Sequence, residues 1–418
     1  MDDVNLDIYA TKGKWRTADG WPGLGRKLRV LVAAANKGGC SYYRAWCPFE
    51  KLEELYPNVI ECRYTQNPLG IDLEKQTEDE EKEDMKWCDV FFTQNLHNFG
   101  GPATVRALGV AREMGKYVWY DTDDLLTDIY DDHRLKATYT QHQLEDLTKH
   151  LYFSSDLVTV TQVKFAERIM PYCDGTLAVI KNAIDYNLPC WNQPKIEARK
   201  GLTRVGWVGG IHHEADVKEF TSVPKFVNQR IGAQKVFWGF YGRPPVDPNG
   251  KDNWQQDVWD NYEKTLLKGM KDKNYQIYGA LPSSDYGVFY TNIDLSIAPL
   301  QNNAFNDSKS DIKVAECGRY GVPLIASNIG CYADTIVNGE TGFLLPPDAT
   351  QSDWTKVLSK VLKDPKWVRE MGENLKTVTD ELFDINNVVH QRLDVLEYSM
   401  QAWLQEYVKH DSTTQQEV

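Results

Sequence analysis

Short runs rich in Val, Ile, Leu and aromatic residues recur along the chain, and most are separated by stretches whose apolar positions repeat at helical spacing. The first, residues 28–35 (LRVLVAAA), is apolar without alternation, as a strand buried on both faces of a parallel sheet requires. It runs into the turn NKGGCSYYR at 36–44, and residues 49–55 then read as a helix. Residues 89–93, 117–120, 157–161 and 177–180 read as further strands, with helices predicted at 102–114 and 141–151. Periodicity lapses after Asp185 through YNLPCWNQPKIEARKG, a polar, Pro-containing stretch suited to a linker. A second series follows, with strands at 203–208, 235–239, 275–278, 293–298 and 323–326 and helices at 216–229 and 312–319. Amphipathic segments at 351–362, 366–380 and 388–409 close the pattern before a polar tail. Such alternation predicts an α/β fold: two Rossmann-like, doubly wound domains facing a cleft, followed by C-terminal helices. The expected boundaries are 1–186, a linker at 187–202, a second domain at 203–385, and a helix and tail at 386–418.

Composition narrows the function. A chain of 418 residues has room for two or three domains, and no apolar run approaches the roughly 18 residues of a membrane helix. The first fifteen residues are acidic and lack a secretory apolar core, so a cytoplasmic address is expected. Eight cysteines lie singly with no C-x-x-C pair, which argues for reduced, mostly buried thiols. The net charge of −13 counts against broad nucleic-acid binding. Much of that excess sits in EKQTEDEEKED at 74–84, read as a solvated face or loop. Six cations, Lys12, Lys14, Arg16, Arg26, Lys27 and Arg29, remain as a local candidate for a nucleic-acid path.

The richest chemistry lies in 298–347. There a polar loop carrying Lys309 and Ser310 enters a helix, so a cation and free backbone amides meet where an anionic ligand such as a diphosphate would bind. Lys313 and Glu316 share one face of that helix; Glu316 suits a pair of ribose hydroxyls, or the two residues form an ordinary surface pair. The second domain opens with RVGWVGGIHHEAD, where Gly209 and Gly210 permit close backbone approach to a ligand and His212 or His213 offers donors to a phosphate. The alternative is a helix capped by Asp216 beside solvated histidines.

The order Glu316, Gly321-Val322-Pro323, a strand, then Asn338-Gly339-Glu340-Thr341-Gly342-Phe343-Leu344-Leu345-Pro346 resembles the donor-binding region of retaining GT-B glycosyltransferases of family four. Many of those enzymes carry a first Glu eight positions before the helical one, where this chain has Ser308. It is closer to the branch reading F-N-x-x-K-S-x-x-K-x-x-E, here Phe305, Asn306, Lys309, Ser310, Lys313 and Glu316, some of whose members are bacteriophage proteins. The resemblance implies that Lys309, Ser310 and the following amides hold the donor diphosphate while Glu316 takes the ribose. It also places His213 and Asp216 at the branch's G-W-x-G-x-x-x-H-x-x-D motif.

In the first domain, the loop after the first strand offers Gly38, Gly39 and Arg44 to the cleft, Arg44 being equally suited to a structural ion pair. Asp121-Thr122-Asp123-Asp124 follows a strand at the end where such sheets bind ligands. A metal is not expected there, since GT-B enzymes generally use none. Asp121 or Asp124 is expected to orient or deprotonate an acceptor hydroxyl, with capping by Asp as the alternative. The implied activity is transfer from a nucleotide-diphosphate sugar, a UDP-sugar being the example, with retention and no separate cofactor. Lys309 and His213 would stabilise phosphate charge. The acceptor is a glycan or glycoconjugate, or a hydroxymethylated base in phage DNA. The rival reading, prompted by Ser308, is an inactive sugar-nucleotide-binding scaffold.

Overall fold

Strand β1 (Leu28–Ala34) is paired on both sides, with β2 (Ile60–Thr65) and with β3 (Val90–Gln94). After the half-exposed Arg29 its sequence is apolar and buried from Val30 to Ala34, as that central position requires. The computed structural model describes residues 15–69, 71–72, 77–78, 83–94, 101–245 and 254–405. With β4 (Tyr117–Asp121), β5 (Leu157–Val160) and β6 (Thr176–Val179), these strands form a parallel sheet of order β2-β1-β3-β4-β5-β6. A second parallel sheet, of order β9-β8-β7-β10-β11-β12, contains β7 (Thr203–Val208), β8 (Val236–Arg243), β9 (Tyr275–Gly279), β10 (Leu295–Ala298), β11 (Leu324–Ser327) and β12 (Gly342–Leu345). The strand order reverses beside β1 in the first sheet and beside β7 in the second. Loops at the carboxyl ends of β1, β7 and β10 therefore lie where open α/β sheets receive ligands.

Two strands carry no clear sequence pattern, and both are edges. β2, IECRYT, has charged and polar residues along its half-exposed length, and β12 has only four residues. The predicted helix at 216–229 is two pieces, Glu214–Lys218 and Val223–Ile231. Pro224 lies in the first turn of the second piece, where its missing N–H costs no hydrogen bond, and Ser222 before it adopts φ 60°.

The chain forms two compact units, Met1–Asp128 with Thr138–Ala183 and Ile385–Val418, and Ile129–Ala137 with Ile184–Asp384. In the first core, Phe49, Phe92 and Trp119 meet edge to face. Ile385, Leu393, Leu396 and Met400 complete that core, so the C-terminal helix His390–Ser399 belongs to the N-terminal half. The expected linker is mostly exposed and irregular, with the short turn Pro189–Trp191 packed into the second unit. Trp191 is buried, the Tyr186 hydroxyl donates to the Ala315 carbonyl at 2.9 Å, and the Ile196 amide donates to Thr291. All eight cysteines are free thiols, five of them buried.

Two further expectations change. The sequence at 242–262, GRPPVDPNGKDNWQQDVWDNY, predicts an exposed insertion beside the second domain; residues 246–253 lie outside the described residues, but Trp254–Leu266 is a helix whose Trp259 and Tyr262 enter the second core. Of the acidic run at 74–84, residues 74–76 and 79–82 lie outside the described residues. Thr77–Glu78 pairs with Ile71–Asp72, and Glu83 and Asp84 begin the helix Glu83–Trp87. No described helix is long and apolar enough to cross a membrane.

Candidate functional site

In the second unit, the loops after β7 and β10 meet at a buried carboxylate. Asp216 is fully buried; one oxygen lies 2.8 Å from His213 Nδ1, and the other accepts from the Gln301 amide and Asn306 Nδ2, each at 2.8 Å. Burial opposes its charge, but the His213 hydrogen bond and charge, the Gln301 amide and the Lys309 ammonium outweigh burial and hold the carboxyl below its ordinary value of 3.8. A depressed carboxyl stabilises the fold above its unfolded pKa and loses that contribution as pH falls through the lower folded value. The second unit is therefore expected to lose stability as acid titration passes below pH 3.8. Asp216→Asn should flatten that part of the stability–pH curve measured by urea unfolding, and an unchanged slope would show that Asp216 is not its source.

Asn306 is the pin of this loop. Its backbone amide is capped by Asn303 Oδ1 at 2.8 Å, and its Nδ2 also donates to the Gln301 carbonyl. With Nδ2 so engaged, the buried Oδ1 has no hydrogen-bond partner. Lys309 Nζ stands 4.7 Å from the centroid of the Phe305 ring. The helix Ile312–Arg319 begins two residues after Ser310, with Asp311 as its N-cap. Farther along it, Lys313 Nζ is 2.8 Å from Glu316 Oε2, which also accepts from the Tyr290 hydroxyl at 2.8 Å. Burial would lower the Lys313 pKa, but Glu316 and Tyr286 outweigh it and raise it above the ordinary lysine value, so the ammonium persists. Ser308 is fully buried and its Oγ donates to the Ala304 carbonyl at 2.9 Å. The residue standing where many relatives of the resembled family have Glu is thus turned into its own short helix.

The glycine loop is shaped from below. Gly242, at φ 118°, lets β8 bulge against it, since a Cβ there would come within 2.2 Å of the Gly209 carbonyl oxygen. Gly209 donates to the Tyr241 carbonyl, and the Tyr262 hydroxyl donates to the Ile211 carbonyl at 2.6 Å. Gly210 is exposed with open space where a Cβ would stand. His212 is exposed, whereas His213 is held by Asp216.

The first-unit candidates divide sharply. Gly38 donates to Asn36 Oδ1 at 2.8 Å and Gly39 adopts φ 46°, so a tight turn accounts for both glycines. Arg44 is fully buried and makes a bidentate pair with Asp121, at 2.8 and 2.6 Å, while also donating to the Ile180 carbonyl and to Asn182. Asp121, equally buried, also accepts from the Thr159 hydroxyl at 2.6 Å. Neither side chain has surface to offer a ligand; Arg44 takes the structural ion-pair role, and Asp121 does not reach an acceptor hydroxyl. Asp124 is partly exposed and keeps that possibility. Cys40 Sγ and the carboxylates of Asp123 and Asp124 have ligand atoms within 4.8 Å of one another. Three donors, one of them sulfur, fall short of the oxygen-rich shell that magnesium requires.

Tyr286, Tyr290 and the Gln301 amide are site members that the sequence reading passed over. Tyr286 and Tyr290 face Lys313 and Glu316 from the stretch Ser283–Asn292, and only their four-residue separation hinted at a shared face.

Residues 205–378 match the family model described as glycosyl transferases group 1. Over 83 residues, 20% of this chain, the sequence is 32% identical to D-inositol 3-phosphate glycosyltransferase of Gordonia bronchialis, and the match spans 18% of that relative's length. Sucrose-phosphate synthase from Thermosynechococcus elongatus superposes with a TM-score of 0.62 at 14% identity, covering 90% of this chain and 100% of that one. HepE of Anabaena, solved in complex with UDP and glucose, gives a TM-score of 0.60 at 14% identity, covering 89% and 99%. At such identities the likeness is one of fold, and the fold is GT-B, with two Rossmann-like domains.

Proposed function

We propose that this chain is a glycosyltransferase that takes a sugar from a nucleotide-diphosphate donor, a UDP-sugar for example, and passes it to an acceptor hydroxyl. One observation carries the reading: at the switch point of the second sheet, a pinned Asp216 and Asn306 hold His213 and Lys309 beside the start of a helix that carries Lys313 and Glu316. Lys309, His213 and the first-turn amides receive the diphosphate, and Glu316, oriented by Lys313 and Tyr290, receives the ribose hydroxyls. Asn306 Oδ1 is a buried acceptor suited to a donor hydroxyl.

In the proposed retaining reaction the sugar C1–O bond to the diphosphate breaks and an acceptor oxygen bonds to C1 on the same face. The acceptor proton passes to the departing phosphate oxygen. Catalysis then consists of positioning and of stabilising the phosphate charge, the tasks these side chains suit. The comparisons with group 1 glycosyltransferases and a UDP-bound GT-B structure support the donor class.

A glycan or glycoconjugate acceptor fits better than modified DNA. Arg16 is paired with Asp394 and Glu397, Arg26 with Asp89, and Arg29 with Glu61 at 3.8 Å, so three of the six cations that favoured nucleic acid are already matched by carboxylates. Lys12 and Lys14 lie outside the described residues.

Lys309→Ala is expected to weaken UDP, GDP or ADP binding about 10- to 100-fold by calorimetry, the loss of a charge-assisted contact. Unchanged affinity would remove Lys309 from the phosphate site. Mass spectrometry of reactions pairing nucleotide sugars with simple glycans and with hydroxymethyl-base DNA tests transfer and acceptor together. Binding without transfer or donor hydrolysis would favour the scaffold reading.

A further inference from the structure

Nine residues of the second unit, Ile129–Ala137, come from within the sequence of the first: the chain leaves that unit after Asp128 and rejoins it at Thr138. This strap lies on the two loops that form the candidate donor site. His133, 5% exposed, stacks on His212 with ring centroids 5.9 Å apart and planes 15° from parallel, and packs on Phe305 at 5.0 Å. Tyr130 meets His133 edge-on at 5.0 Å and Phe305 at 6.0 Å. Arg134 pairs with Glu214 at 3.2 Å, next to His213 in sequence. The Leu135 amide donates to His133 Nδ1 at 3.2 Å, which fixes the orientation of the imidazole ring.

Each of these contacts falls one step from a phosphate-site residue. Phe305 carries the strap on one side and the Lys309 ammonium over its ring, and it immediately precedes Asn306, which holds Asp216. His212 immediately precedes His213. Tyr130 also feels the Asp216 charge: burial first, then Asp216, raises its pKa.

We propose that Ile129–Ala137 is a positioning strap of the donor site, in which His133 clamps Phe305 and His212 and thereby sets the places of Lys309 and His213 toward the donor diphosphate. The inference rests on the nucleotide-sugar reading above. It assigns part of the donor site to a segment outside the matched stretch 205–378. A strap of this kind should act on the phosphate end of the ligand and leave the nucleoside end alone.

The test is calorimetry on the full chain with UDP, GDP and ADP, and with the matching nucleoside by competition. His133→Ala is expected to weaken diphosphate binding about tenfold, from the loss of two ring contacts and of the order they impose, with nucleoside binding unchanged. His133→Phe, which keeps an aromatic ring in place, is expected to restore affinity to within about threefold. Wild-type affinity in His133→Ala, an equal loss for nucleoside and diphosphate, or no rescue by Phe would overturn the strap. Hydrogen exchange on the unsubstituted chain reads the same proposal without any folding risk. The amides of 130–137 should slow on saturation with the diphosphate, and no change would overturn it. If the unsubstituted chain binds none of the three diphosphates, the nucleotide-sugar reading fails and the strap falls with it; if it binds and His133→Ala does not weaken it, the strap alone falls.

Discussion

Asp121→Ala is expected to destabilise the first unit by about 3–5 kcal/mol, the cost of removing one partner from a buried ion pair. The physical situation is lopsided. Arg44 is fully buried on this carboxylate, and Arg392, from the C-terminal helix, lies 3.9 Å from the same oxygen with no hydrogen-bond partner for its Nη1. Burial first, then the Arg44 charge, lowers the Arg392 pKa to about 9 even with Asp121 present. Without Asp121, two guanidinium groups would face each other in the core with no counter-charge. Arg44→Met should cost less than Asp121→Ala, because Asp121 would still have Arg392 beside it. Urea unfolding followed by circular dichroism gives both values, and an Asp121→Ala loss under about 1 kcal/mol would mean the carboxylate is not the keystone described here. Loss of transfer in an Asp121 variant is then a folding effect. The chemical test of the Asp cluster is Asp124→Asn, and full transfer rates in that variant would end the acceptor-side role.

The Arg44–Asp121 pair shows where sequence reading stops. Arg44 follows β1 and Asp121 ends β4 at the ligand-binding end of a sheet, a position that rewards a functional reading, yet the fold brings them together across a separation of 77 in sequence. Residue type and place along the strand were legible; direction was not, because it depends on Thr159 and Asn182 from two other strand ends. The central strands announced themselves by continuous apolar sequence, since burial on both faces leaves no alternative. Of the four edge strands, β6 and β9 were predicted and β2 and β12 were not: β2 carries charged and polar residues along a half-exposed length, and β12 has only four residues.

The second unit was more transparent because its site is local. Asn306, Lys309, Lys313 and Glu316 fall within eleven residues, and helix geometry alone puts Lys313 beside Glu316. The support beneath was not legible. Tyr262 under the glycine loop comes from a stretch that read as an insertion, and Tyr130 and His133 come from the other half of the chain. None of the three carries a local pattern, since their partners lie 51 to 175 residues away. The proposed ligand contacts thus follow short-range rules in this chain, while the residues that hold them answer to the tertiary fold.

Asp216→Asn is expected to lower kcat for sugar transfer by about 10²–10³, as does loss of one preorganised group that stabilises developing charge. Asp216 touches no part of the proposed ligand position; it acts through three anchors. One oxygen holds the imidazole of His213, and the other ties the Gln301 amide and Asn306 to the loop that ends at Lys309. Asparagine keeps the shape but removes the charge, and it brings an NH2 group into a place where both oxygens now accept. The departing diphosphate would then meet a misplaced His213 and a displaced Lys309 at the moment its negative charge grows. His213→Ala should cost a similar factor, and the double variant no more than the worse single one, because the two residues act as a unit. Rates from donor-saturated assays with single and double variants decide this. Multiplicative losses would mean that Asp216 serves the loop alone, with His213 reaching the phosphate independently of it.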